Sequence, residues 1–376
     1  MKGMDVIEAL GEIREDWLED AAPKGTRKPP QWIKYLSLAA CLVLLAGFSG
    51  LTLTRVLHGE AGQNAAQPPA EQASIPAAMP EDSAEEDSER EIFFQRFYQL
   101  DQNSVLDYAA AHPECLERGW SGVDLTPEAL NASERQITTI QGDPVLALDA
   151  ENGILLVRVE ADDSQGVLAI CQDTSGLRLC AAETLPDSGE TVGTICESSG
   201  GLLAITGSAF VDDGTSDGGT LSGLAVCQGT VLGSSLAQPG VKRLELRADN
   251  RMYLVDSTDP VGEDTRDACE FQPALIVDGE DVTDDTSWTG PNPRAAIGQT
   301  DRLETMLIVV EGRLWNSPGC GVEAVAEKLL EYNCVQAMNL DGGTSAIMYY
   351  KGSYLTRCSN TALPQGRKMP TAWVYG

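Results

Sequence analysis

Histidine is nearly absent from this chain: there are two in 376 residues, His58 and His112, both in the first third. A Ser–His–Asp triad or a histidine-based metal site in the C-terminal half is therefore excluded by counting. Basic residues are scarce as well, 26 against 57 acids, for a formal net charge of -31. Nucleic-acid binding rests on neutralising phosphates with Lys and Arg, so no nucleic-acid partner is expected. None of the ten cysteines forms a Cys-x-x-Cys pair, which argues against a zinc ribbon or a thioredoxin-like site. Nine cysteines follow Cys41, an odd number, so at least one thiol is expected to be free or paired between chains, with disulfides open to some of the rest.

Long apolar runs are lacking too, with one exception. Tyr35 to Leu53 carries no charge and has the length to cross a bilayer as a helix. Lys24, Arg27, Lys28 and Lys34 precede it, and beyond Arg55 the chain turns acidic. This asymmetry predicts a single-pass anchor over 35–53 with a cytoplasmic N-terminus and an extracellular C-terminal domain. A cleavable signal peptide fits less well, because 34 residues precede the run. Within the tail 1–34, Val6, Ile7, Leu10, Ile13, Trp17 and Leu18 recur at helical spacing. That helix over 4–20 would dock a cytoplasmic partner or lie on the inner membrane face. Residues 54–90, rich in Ala, Gln, Pro, Glu and Ser, read as a disordered acidic stalk.

Residues 91–136 are expected to form a helical lead-in, ending one or two helices near His112-Pro113. From 137 to 376 short apolar runs alternate with Gly, Asp, Asn and Ser, which predicts strands. One helix interrupts them: Val322, Val325, Ala326, Leu329 and Leu330 form a single stripe, with Asn333 as its cap. Lys351-Gly352-Ser353 between apolar runs reads as a hairpin. The expected fold class is α+β, a largely antiparallel or mixed sheet with few helices, preceded by the transmembrane helix.

Three stretches set polar groups at strand ends: Pro293–Gly298 with Arg294, Met306–Val310 running into Glu311-Gly312-Arg313, and Val335–Leu340 running into Asp341-Gly342-Gly343-Thr344-Ser345. Rigid strand ends handing over to glycine turns suit a reactive site. Together these stretches bring the Arg294 guanidinium, two carboxylates and the Asn339 amide within about 50 residues. Arg294–Gly298, Glu311–Arg313, Ser317–Gly319 and Asn339–Ser345 resemble the motifs of the phosphodiester glycosidase family. So do Leu203–Phe210, followed by Asp212, Asp213 and Gly218-Gly219, and the tail Gly366–Pro370. The resemblance covers about 91–376. Three positions depart from the usual pattern: Thr206 stands for Asn, Ala209 for Gly and Glu311 for Asp.

The resemblance implies a hydrolase that cleaves a sugar anomeric C–O bond with a phosphate ester as leaving group. It implies Asp341 as base or nucleophile with Glu311 as its rival, Arg294 as phosphate clamp, and Asn339 beside them. Thr344 and Ser345 would orient sugar hydroxyls, with Thr206, Gly207, Ser208, Phe210, Arg313, Gly342 and Gly343 lining the pocket. The implied partner is a cell-envelope glycan or sugar-phosphate polymer, with the lipid bilayer holding 35–53. No cofactor is expected; Asp212, Asp213 and Asp217 are the acids that could hold Ca²⁺. The alternative is a catalytically inactive glycan-binding ectodomain that signals through the cytoplasmic helix.

Overall fold

The computed structural model describes residues 81–212, 217–283, 288 and 290–376. The docking helix, the apolar span, the stalk up to residue 80 and Asp213 lie outside the described residues. Among those described, no helix is long and apolar enough to cross a membrane.

A nine-stranded sheet forms the frame. Its order is Asp124–Leu125, Val145–Asp149, Ile154–Ala161, Ser164–Cys171, Thr305–Val310, Arg294–Thr300, Cys334–Leu340, Ala274–Val277 and Glu280–Asp281. One five-stranded sheet runs Met252–Asp256, Lys242–Arg247, Thr265–Phe271, Leu224–Cys227, Thr230–Gly233. The other runs Ser353–Tyr354, Met348–Tyr350, Leu203–Thr206, Thr371–Tyr375, Leu177–Ala181. Every strand pair among the described residues is antiparallel, so the mixed alternative falls away.

The 294–300 and 305–310 strands are buried at every position. Antiparallel strands usually alternate because one face meets water; here both faces are covered. Leu155, Leu168, Ile170, Ala296 and Ile308 pack under the Val322–Glu331 helix and the lead-in residues Phe93, Phe97, Tyr108 and Trp120. Ile154, Leu156, Ala169, Ile297, Leu307 and Val309 pack against both smaller sheets, including Leu203, Leu244 and Trp373. The layers are therefore helices, large sheet, two small sheets.

The lead-in belongs to this core. Its first helix, Glu81–Arg96, begins ten residues before the expected start of the lead-in. The second, Gln102–Ala111, is capped by Asp101, whose side chain accepts from Ser104 N at 2.8 Å, and stops before Pro113. Between them Gln99 and Tyr98 donate to the Glu304 carboxylate at 2.8 Å each, fastening the lead-in to the sheet.

The helix at Val322–Glu331 buries Val322, Val325, Ala326 and Leu329, with Asn333 at φ 63 just past its end. The hairpin turn is Lys351-Gly352, at φ 42 and 89. All nine cysteines after Cys41 are free thiols, so none of the disulfides open to them in the sequence forms.

Candidate functional site

Two strands flank Leu203–Thr206 antiparallel to it: Met348–Tyr350 and Thr371–Tyr375. Antiparallel pairing puts the exit of the first beside the starts of the other two. Three segments therefore meet at one end of the sheet: 207–212, 341–347 and 366–370. Gly366, at φ 78, fits against Ile347 and the Thr344 carbonyl, an added Cβ lying 3.3 and 3.4 Å from them.

Asp341 sits in this junction, partly open to solvent by surface area but ringed by protein atoms. Desolvation pushes its carboxyl up to about 6; the Ser345 hydrogen bond and the Arg367 charge oppose the rise, and Asp212 adds to it. Arg367 forks onto Asp212 through Nη1 at 2.6 Å and Nη2 at 2.9 Å. Its guanidinium also lies 4.6 Å from the centre of the Phe210 ring. One carboxylate thus holds the guanidinium by a planar fork, with an aromatic face beside it, and the other feels its charge.

Arg294, expected as the phosphate clamp, is turned away. Its Nε donates to the Cys320 carbonyl at 3.0 Å, and its Nη2 to the Trp288 and Gly290 carbonyls at 2.8 Å each. It is 4% exposed, and desolvation lowers its pKa. The backbones are close, since an added Cβ on Gly342 would lie 3.9 Å from the Arg294 Cα. The side chain nevertheless feels Cys320, Glu323 and Arg313, while Asp341 feels Arg367 and Asp212. A strand-end guanidinium buried beside three carbonyls satisfies them first.

Glu311, expected as the rival carboxylate, is 7% exposed. It accepts from Arg357 N at 2.8 Å and from Arg357 Nε at 2.8 Å. It lines a separate cleft of about 440 Å³, with Arg158, Gln165 and Tyr350 among the other walls. Asn339 is 1% exposed and donates to the Gln272 carbonyl at 2.8 Å, which makes it an internal clip; its Oδ1 has no hydrogen-bond partner.

The glycines expected to admit a ligand admit backbone instead. An added Cβ would lie 2.6 Å from Pro293 O at Gly342, and 2.5 Å from Pro293 N at Gly312. The three strand-end motifs are packed together through Pro293. Gly207 makes room for Thr371, whose Oγ1 accepts from Ser208 N at 2.8 Å and shares a 2.8 Å bond with the Ser208 hydroxyl. Thr206 is fully buried, and its hydroxyl has no hydrogen-bond partner. Thr344 shares a 3.4 Å hydrogen bond with Ser359, and Ser345 serves Asp341. Gly343, at φ 59, lies under Arg313, whose Nη1 would be 3.5 Å from an added Cβ; Arg313 Nη2 donates to Asn292 Oδ1 at 2.9 Å.

Of the predicted residues, the structure gathers Asp341, Ser345 and Phe210 into one cluster. The cluster's cation, Arg367, was missed, although the closing motif Gly366–Pro370 had drawn attention to it. Asp212 was singled out in the motif after Phe210 and as a Ca²⁺ candidate, not as the partner of a cation. No group of three or more metal-ligating side chains occurs among the described residues.

The phosphodiester glycosidase family model matches residues 199–375. No curated protein sequence matches the chain. Among solved structures, the chain is similar to the zebrafish N-acetylglucosamine-1-phosphodiester alpha-N-acetylglucosaminidase catalytic domain, auto-inhibited by its pro-peptide. That match has a TM-score of 0.50 at 18% identity, over 59% of this chain and 81% of that one. A protein of Synechocystis matches at 14% identity and TM-score 0.44, over 63% of this chain and 65% of its own. The zebrafish likeness is one of fold, and the Synechocystis match carries no weight. The strands at 124–171, four of the nine in the large sheet, lie before the matched segment. The family model thus marks a phosphodiester glycosidase domain at 199–375, a little under half of the chain.

Proposed function

We propose that this protein hydrolyses a sugar-1-phosphodiester in a cell-envelope glycan, anchored by residues 35–53 with its C-terminal domain outside the membrane. The observation that carries the reading is the Asp341 carboxyl, pushed up to about 6 and set against the Arg367–Asp212 fork. A phosphate ester leaves as a weakly basic anion, so it needs little protonation and no histidine acid. It needs positive charge near the leaving oxygens and a carboxylate at the anomeric carbon.

Asp341 supplies the carboxylate. It accepts a proton from water as that water attacks, or attacks the anomeric carbon itself. Arg367 replaces Arg294 as the group that steadies the departing phosphate, because its charge is the one felt at Asp341. Asp212 fixes the guanidinium plane, and Ser345 holds the carboxylate. A carboxyl that titrates near 6 keeps more basicity than an ordinary aspartate and is still ionised at neutral pH.

The test is release of free reducing sugar from a panel of sugar-1-phosphodiesters by residues 77–376, a compact unit. Wild type should release sugar from at least one panel member, and Asp341→Asn should lose roughly 10³-fold or more in rate. Full activity in Asp341→Asn would remove Asp341 from the mechanism. Glycan binding with no turnover in wild type would favour the inactive, signalling ectodomain.

A further inference from the structure

Trp315 is 95% exposed, the most open large apolar side chain among the described residues. It is not on a loose loop. Leu314 N donates to Ser317 O at 3.0 Å and Ser317 N returns to Leu314 O at 3.2 Å, so Trp315-Asn316 is the tip of a two-residue turn. Asn316 Oδ1 accepts from Arg357 Nη1 at 3.1 Å, and the same guanidinium donates to Glu311 at the root of the hairpin. Tip and root are thereby clamped by one side chain. Exposing an indole costs hydrophobic free energy, and the turn that presents it is fixed by hydrogen bonds.

The hairpin joins two places. Arg313 on one arm lies over Gly343, two residues from Asp341. Glu311 at the root lines the 440 Å³ cleft. Glu311 N donates to Gln165 O at 2.8 Å and Gln165 N donates to Ser317 Oγ at 3.1 Å, so the cleft wall and the hairpin are one piece. Leu146, Val167, Tyr350 and Leu355 give the cleft apolar surface, and Arg158, Gln165 and Ser353 give it donors and acceptors. Its charges balance, Arg158 and Lys351 against Glu128 and Glu311. In a chain of net charge -31, such a cleft suits an uncharged ligand rich in hydroxyls.

We propose that the 311–318 hairpin and the cleft at its root are a subsite for the glycan part of the substrate. Trp315 stacks on one sugar ring and the cleft hydrogen-bonds the next. The substrate is then an oligosaccharide- or polysaccharide-1-phosphodiester, longer than a single sugar. Its naming as a substrate rests on the hydrolase reading above; the subsite itself rests on the hairpin and the cleft.

The test compares methyl phosphodiesters of a monosaccharide and of the matching trisaccharide, in hexose and N-acetylhexosamine series. Trp315→Ala and Arg158→Ala should each raise KM for the trisaccharide about tenfold and leave kcat/KM for the monosaccharide within about twofold. Equal effects on both lengths, or none, overturn the subsite. If wild type hydrolyses neither compound, the hydrolase reading fails, and binding decides the subsite separately. Tryptophan fluorescence of wild type should then respond to the trisaccharide, with the response lost in Trp315→Ala. No response in wild type, or one retained in Trp315→Ala, overturns the proposal.

Discussion

At the scale of single residues, burial and one guanidinium set the chemistry. The Asp341 carboxyl titrates at about 6 in the fold against about 4 in an unfolded chain. Its ionised form is thus disfavoured by folding: the penalty is absent well below pH 4, grows through the window from 4 to 6, and is complete above it. Asp341→Asn should therefore stabilise the protein above pH 6, by at most about 3 kcal/mol and less given its partial exposure, with no gain at pH 3.5. Denaturant midpoints at the two pH values check this. Arg357→Ala should act oppositely, because it leaves the nearly buried Glu311 carboxylate without its fork. Since Arg357 is itself 49% exposed, the loss should be about 1–3 kcal/mol.

At the scale of elements, close backbone packing decides which glycines matter. Gly342→Ala drives a Cβ to within 2.6 Å of Pro293 O and should cost about 1–3 kcal/mol and lower activity. Gly352→Ala, at φ 89 in open space, should cost about 1 kcal/mol and leave activity alone. Thermal melts with parallel rates separate the two. The 294–300, 305–310 and 334–340 strands and the 322–331 helix were legible because their apolar runs and stripe are long. The 265–271 strand was not: it reads Thr-Arg-Asp-Ala-Cys-Glu-Phe. Its acids are buried because tertiary backbone donors meet them. Asp267 accepts from Leu179 N and Gln228 N, and Glu270 from Leu224 N and Leu236 N. The site was half legible for a related reason. Motifs mark which residues matter, but a side chain's direction depends on which buried carbonyls reach it first. Arg294 therefore went to Cys320, Trp288 and Gly290, and Arg367 is the guanidinium whose charge reaches Asp341.

At the scale of the molecule, one sheet end gathers three distant segments, 207–212, 341–347 and 366–370, around a single charge cluster. The lead-in from residue 93 completes the core beneath the large sheet. Deleting 81–111 should therefore expose the cluster around Phe97 and Tyr108 and yield a protein that aggregates or unfolds. Size-exclusion chromatography of the truncated chain checks this. The most direct measurement of the proposed catalytic pairing is the pH dependence of kcat/KM in wild type and Arg367→Ala. Wild type should rise through an acid limb near pH 6 as Asp341 ionises. Removing Arg367 leaves Asp341 without its favourable charge, so the limb should move to higher pH while the plateau falls roughly 10²-fold. An acid limb that stays in place, with the plateau unchanged, would contradict the pairing of Asp341 with Arg367.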